Sequence, residues 1–373
     1  MEEQVLWEAG NVRLTFREKP GPQVIELLDG IVWGTPGGIR YRKSPFAEKP
    51  EELTEAKFLK LYRRDRLIAT LGLMYRKIVF QNQTVHTYYF RNFAFIEPLR
   101  VLLEAQSAGS PKRKKTSASL LHQRFLALFE KGGFFESRHP GEPVLFFAYV
   151  INNNARSARL IREFGFEEIR MFRTLLYSNF FPRIKEGVSL LPPERVGEMT
   201  QKLAAQYADS WQLDPAKVVN PENYYVIISE GEILAGVSAR PTRWELVSLP
   251  GFSGKMITEV LPRLPFIRKG FQPDNFRFAA LEGLYVRPGA ENRLPELFAS
   301  TCARLGLNIA MIWLDEQSRE FEMVNEWVNL GLIHRLSRNT DAVTVVGRSL
   351  NMPEEVAKKI YETAAYISAQ EVV

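Results

Sequence analysis

One spacing constrains this chain more than any other feature. FLKLYRRDRLIA (58–69) aligns without gaps onto YYVIISEGEILA (224–235), 166 residues further on. VLFFAY (144–149) aligns onto AMIWLD (310–315) at the same offset, and Gly165-Phe166 falls on Gly331-Leu332. Three patterned segments at one spacing indicate two copies of one unit. A chain of 373 residues has room for about two domains. The boundary is expected near 182–193, where Phe181-Pro182 and Pro192-Pro193 interrupt regular structure. The division that follows is 1–182, 183–350, and a C-terminal docking helix in 351–373.

Each unit reads as alternating strands and helices. Residues 58–75 form two strands around the turn Arg63-Arg64-Asp65, and HTYYFRNFAFI (86–96) a third. A polar loop ending SAGSPKRKK leads to a helix from about Thr116, with Leu120, Leu121, Phe125, Leu128 and Phe129 on one face. VLFFAYVI (144–151) is a near-continuous apolar run, as expected of a strand buried on both faces. A helix over about 155–164 follows. Gly165 stops it in the left-handed conformation, and MFRTLLYSN (171–179) is the next strand. The tail opens with a Pro-Glu-Glu helix start and carries the apolar stripe Val356, Ile360, Ala364, Ile367. The fold class is therefore α/β (α+β), with two mixed, mostly antiparallel sheets flanked by helices.

Composition narrows the function classes. Hydrophobic residues make up 45% and charged residues 25%, which excludes intrinsic disorder as the main state. No apolar run reaches the roughly 18–20 residues that cross a bilayer, and MEEQVLWEAG lacks a signal-peptide core. A soluble, cytoplasmic protein without membrane contact is expected. The single Cys302 excludes an internal disulfide framework and a cysteine-based zinc cluster. Four histidines argue against a multi-histidine metal site, so no metal is expected. The net charge of +6 permits an anionic ligand without pointing to nucleic acid. Lys112, Arg113, Lys114 and Lys115 are contiguous, a run that reads either as a solvated loop or as an anion site.

The strand-Asn-helix-Gly-Phe element, VLFFAYVINNNARSARLIREFGFEEIRMFRTLLYS, carries the chemistry. A polar Asn at a strand end can hold the amides of a ligand beside the strand, and Gly lets the helix turn back sharply. This element resembles the GNAT acetyltransferase superfamily, in which Asn154, Ser157, Leu160, Ile161, Gly165 and Phe166 match the pattern of the second conserved motif. The resemblance implies acetyl-CoA as co-substrate, bound through Asn154 and Ser157 and along the strand carrying Phe93 and Phe95. It also implies a pyrophosphate cradle at the next helix start, over Arg113, Lys114, Lys115, Thr116, Ser117 and Ala118. Thr116 stands where the family has Gly, and Lys112 or Arg100 are alternative holders of the pyrophosphate.

The resemblance names no catalytic residue. Where many members carry a proton-donating Tyr, this chain has Ile161, which cannot donate. His86 and Glu97 are conceivable bases, each also readable as a surface or packing residue. The aromatics Tyr88, Tyr89, Phe90, Phe93 and Phe95 read as core packing ahead of a substrate cage. WGTPGG (33–38) reads as a turn near the acceptor side, since a P-loop needs a following Lys-Ser/Thr. The second copy is degenerate: Glu291 replaces the pyrophosphate-binding cation and Glu320 stands at the Asn154 offset. It is expected to hold no coenzyme A, and to serve structurally or to wall the acceptor pocket. Two functions follow from the resemblance. One is an N-acetyltransferase acting on a small-molecule or peptide amine. The other is a non-catalytic acyl-CoA-binding or regulatory protein on the same fold. Neither the acceptor nor the oligomeric state is coded in these patterns.

Overall fold

The computed structural model describes residues 3–34, 38–46, 55–80, 82–96, 123–151, 161–249, 271–336 and 342–373, with 159, 254, 258 and 263 as single positions. Among them, 15 strands form one sheet. In chain order these are β1 (Gln4–Ala9), β2 (Val12–Arg17), β3 (Trp33–Gly34), β4 (Arg40–Lys43), β5 (Ala56–Arg63), β6 (Arg66–Phe80), β7 (Gln83–Phe95), β8 (Val144–Ile151) and β9 (Glu167–Ser178). The second half supplies β10 (Val188–Leu190), β11 (Tyr224–Ser229), β12 (Glu232–Ser248), β13 (Phe276–Val286), β14 (Ile309–Asp315) and β15 (Val343–Leu350). The order across the sheet is β1-β2-β5-β6-β7-β8-β15-β9-β14-β13-β12-β11-β10, with β4 pairing β12 and β3 off that path. The β7–β8 and β13–β14 pairs are parallel, and the other pairs are antiparallel.

Local sequence explains the elements. The hairpins β5–β6 and β11–β12 turn through Arg64 at φ 56° and Glu230 at φ 52°, at the offset read from the sequence. β8 buries both faces: Leu145 and Phe147 enter one core, while Val144, Phe146, Ala148 and Val150 enter another. Phe146 stacks edge-on with Phe129 and Phe135 at ring separations of 5.0 Å. Truncating such a buried ring to Ala costs about 3–5 kcal/mol. The helix before β9 ends in a Schellman turn. Phe166 N donates to Ile161 O (3.1 Å), Gly165 N donates to Arg162 O (3.0 Å), and Gly165 adopts φ +70°. Residues 123–127 are helical and place Phe125, Leu128 and Phe129 against the same core.

Three details depart from the sequence reading. Gly331 is also at positive φ, yet it opens the helix Gly331–Leu336 instead of closing one into a strand. A Cβ there would come within 2.2 Å of Ser178 O, so close packing on β9 requires the glycine. The C-terminal helix covers only Glu354–Glu362, because Thr363 turns extended. Val356 and Ile360 are buried on it, whereas Ile367 is buried in the irregular segment beyond. The sheet is also continuous across both halves: β15, from the second half, lies between β8 and β9, and β9 pairs with β14. No helix among the described residues is long and apolar enough to cross a membrane.

Candidate active site at a strand splay

β7 and β8 pair from His86–Val144 to Phe90–Ala148 and then part. The cause lies in β7. Its register against β6 jumps from Gly72–Arg91 to Thr70–Ala94, so Asn92 and Phe93 together oppose Leu71. This is a β-bulge, with Asn92 at φ +51°. The bulge bends β7 away from β8 and leaves backbone groups of both strands facing the opening. A cavity of about 440 Å³ occupies it, within the size range of small-molecule sites.

The walls come from both halves. Tyr89, Phe90 and Phe93 of β7, residues 148–151 of β8, and Ile161, Phe164 and Phe166 form the first. Trp244, Met311 and Trp313 from the second half also line the cavity, as do Trp33, Tyr41 and Lys43. Tyr41 stacks on Trp244 at 4.0 Å. The second half therefore does wall this cavity. Of the five β7 aromatics, Tyr88 is core, Tyr89, Phe90 and Phe93 face the cavity, and Phe95 packs on Phe93 at 5.6 Å. The core-packing expectation holds for Tyr88 and Tyr89, which are buried in the two cores, and for Phe90 and Phe95, which pack against one of them; it fails for Phe93, which the bulge leaves exposed.

The polar groups converge from the far end of the chain. Glu371 is buried in the cavity wall. Its Oε1 pairs with Arg76 Nη1 at 2.9 Å, and its Oε2 accepts a short bond from the Tyr149 hydroxyl. Burial raises the Glu371 carboxyl above its ordinary range, opposed by the Arg76 guanidinium, the Tyr149 bond and Arg91. Burial likewise holds the Tyr149 and Tyr89 phenols protonated. Main-chain bonds fix the segment: Tyr89 OH donates to Glu371 O (3.0 Å), Arg91 Nη1 to Gln370 O (3.2 Å), and Lys43 Nζ to Val372 O (3.3 Å). A carboxylate of raised proton affinity, beside phenols and an apolar cavity, can accept a proton from a bound amine.

Sequence reasoning did not single out Glu371, Arg76, Arg91 or Tyr149. The one available signal was Tyr149, the only hydroxyl in the run VLFFAYVI. Of the expected coenzyme A residues, the structure places Phe93 in the cavity wall and Phe95 against it. Arg113, Lys114, Lys115, Thr116, Ser117, Ala118, Asn154 and Ser157 lie outside the described residues, as do Arg100, Lys112 and Glu97. Ile161 lines the cavity. His86 does not; it belongs to a separate cluster at the closed end of the β7–β8 pair.

The second half contains the same splay, filled. β13 and β14 pair from Ala279–Ala310 to Leu281–Ile312 and then part. The register against β12 jumps from Ser238–Glu282 to Gly236–Tyr285, with Gly283 at φ +61°. Matched through the bulge, Glu282 stands where Arg91 does, and Ala148 corresponds to Ile312 in place of Leu314, a two-residue slip that keeps the strand face. Gln206 occupies the opening. Its Nε2 donates to Leu284 O (2.9 Å) and Glu320 Oε1 (2.8 Å), and its Oε1 accepts from Val286 N (2.9 Å). Tyr207 OH donates to Leu284 O (3.0 Å) and Tyr224 OH to Gly283 O (2.7 Å). What remains is about 10 Å³. Burial raises the Glu320 carboxyl, and Glu291 pairs with Arg319 at 3.2 Å.

The fold has solved counterparts. N-myristoyltransferase of Saccharomyces cerevisiae with bound myristoyl-CoA matches 93% of this chain and 84% of its own, at a TM-score of 0.56 and 9% identity. A second structure of that enzyme, with myristoyl-CoA and inhibitors, matches 94% and 86% at 0.55 and 9%. The chain shares the overall fold of these N-myristoyltransferase structures. A GCN5-related N-acetyltransferase from Sphaerobacter thermophilus aligns over 91% of this chain and 96% of its own at 11% identity and a TM-score of 0.48. No known family profile and no curated protein sequence matches the chain.

Proposed function

We propose that this GNAT-fold chain is an N-acyltransferase, moving an acyl group, acetyl as the smallest, from a coenzyme A thioester to an amine of a small molecule or peptide. The observation that carries the reading is the open splay between β7 and β8 leading into an apolar cavity, with Glu371 in its wall. Thioester carbonyl oxygen bonds to strand N–H groups at the bulge near Phe93. The amine attacks the carbonyl carbon, a C–N bond forms, and the C–S bond breaks. The surplus proton of the amine passes to Glu371 and returns to the leaving sulfur, so no external acid is consumed. Phe93, Phe95, Asn154 and Ser157 are proposed to hold the pantetheine side, and the 113–118 helix start the pyrophosphate.

Fold neighbours that act as N-acyltransferases support this reading. Ile161 in the cavity wall favours one alternative, an acyl-CoA-binding protein without turnover. A thiol-release assay over acyl-CoA chain lengths and an amine panel separates the two. Release above the hydrolysis background supports the transferase. Firm acyl-CoA binding by calorimetry without release on any amine supports the alternative.

A further inference from the structure

Two histidines and a carboxylate converge away from the cavity. His86 lies at the start of β7, paired with Val144 at the end of the β7–β8 ladder opposite the splay. His139 closes the short helix Phe134–Arg138, and Glu142 follows in the turn, its N–H donating to His139 O at 3.1 Å. The two imidazoles stack with centroids 3.9 Å apart. Their inner nitrogens address one oxygen: Glu142 Oε2 is 2.7 Å from His86 Nε2 and 3.7 Å from His139 Nδ1. All three donor atoms lie within 4.8 Å of one another. Donors on a tetrahedral zinc ion stand roughly 3.3 Å apart, given metal–ligand bonds of about 2.0–2.1 Å.

The outer nitrogens are already engaged. His86 Nδ1 is 2.8 Å from the Tyr75 hydroxyl, and His139 Nε2 is 2.8 Å from the Tyr88 hydroxyl. Strand periodicity builds this arrangement. His86 and Tyr88 share a face of β7, and Tyr75 sits opposite Tyr88 on β6. Each phenol can accept the outer ring N–H, which fixes the tautomer that leaves the inner lone pair free. His86 Nε2 is buried, and despite the close approach of Glu142 it makes no aligned hydrogen bond.

We infer that His86 Nε2, His139 Nδ1 and Glu142 Oε2 form a zinc-class site that ties the turn before β8 to the start of β7. Imidazole nitrogen with one carboxylate suits Zn²⁺ ahead of Mg²⁺ or Ca²⁺. Glu142 is about half exposed, with 55% of its side chain accessible, which leaves a fourth position for water. The site revises the metal-free expectation drawn from the histidine count, because folding brings together two of the four histidines.

The test uses untagged full-length protein, stripped with EDTA and desalted, titrated with ZnCl₂ by calorimetry. The expected result is one Zn²⁺ per chain, with a rise in Tm. Glu142→Ala changes an exposed side chain and keeps the fold intact, and it should weaken that affinity tenfold or more, as should His139→Gln. Tyr88→Phe should weaken it less, through the ring orientation alone. Co²⁺ in place of zinc should give visible d–d bands that vanish in His139→Gln. Equal zinc affinity in wild type and Glu142→Ala, or no stoichiometric binding at micromolar zinc, overturns the assignment.

Discussion

The two halves contain the same device in opposite states. Both bend a central strand at a two-residue bulge with one residue at positive φ, and both part it from its parallel neighbour at the same point. In the first half the opening is lined by rings and holds about 440 Å³; in the second it is occupied by Gln206 and holds about 10 Å³. The backbone alone therefore does not make a site. What decides is whether the helix beneath supplies a side chain that can satisfy the freed strand groups. Gln206 does so for Leu284 and Val286, and Tyr207 and Tyr224 complete the seal. Buried backbone groups demand partners.

Glu371→Gln breaks the open side most strongly. It should lower kcat about 10²–10³-fold with little change in acyl-CoA affinity. A base works deprotonated, so the wild-type rate should fall as pH drops through a pKa above the usual carboxylate range. That acid limb should disappear in the variant. An unaltered profile means that the two splays differ in shape alone. Gln206→Leu probes the filled side. It strands the Leu284 and Val286 backbone groups and should cost about 1–3 kcal/mol in chemical denaturation. Acyl-CoA stoichiometry should stay at one per chain, because Glu282 and Glu320 remain where a diphosphate-bearing ligand would approach. Arg113→Glu should weaken acyl-CoA binding in calorimetry tenfold or more, about 1.4 kcal/mol; normal binding transfers the pyrophosphate to Arg100 or Lys112. Glu291→Arg should do least. It removes a surface pair with Arg319 worth about 0–1 kcal/mol and creates no second site, so two acyl-CoA per chain would end the contrast between the halves.

Much of the frame was legible because it is local. The β5–β6 turn, the doubly buried β8, and Gly165 are each set by a few neighbouring residues. The offset of the hairpins survives in the register. The site was legible only where it lies on those elements, at Phe93 and Ile161. Glu371 meets Arg76 and Tyr149 across separations of hundreds of residues, and no local pattern in AQEV marks it. The sequence reading expected no coenzyme A in the second half from Glu291 and Glu320, and it did not foresee what fills the splay. In the structure Gln206 does the sealing, a residue that reads as an ordinary helical polar position. The placement of β15 was invisible for a similar reason. VTVVGRSL announces a strand but not its neighbours.

That placement has a consequence for how the chain is made. β15 bonds to β8 along its full length and to β9 over its first part. A ribosome extending from the N-terminus must therefore produce residues 343–350 before the first half can close its own sheet. Until then the facing edges of β8 and β9 are bare, and one of them borders the cavity. Contacts at such sequence separation fold slowly, and exposed strand edges invite pairing with other chains. A nascent chain stalled before β15 would carry the strands of the first half in sequence without yet having their closed sheet in structure.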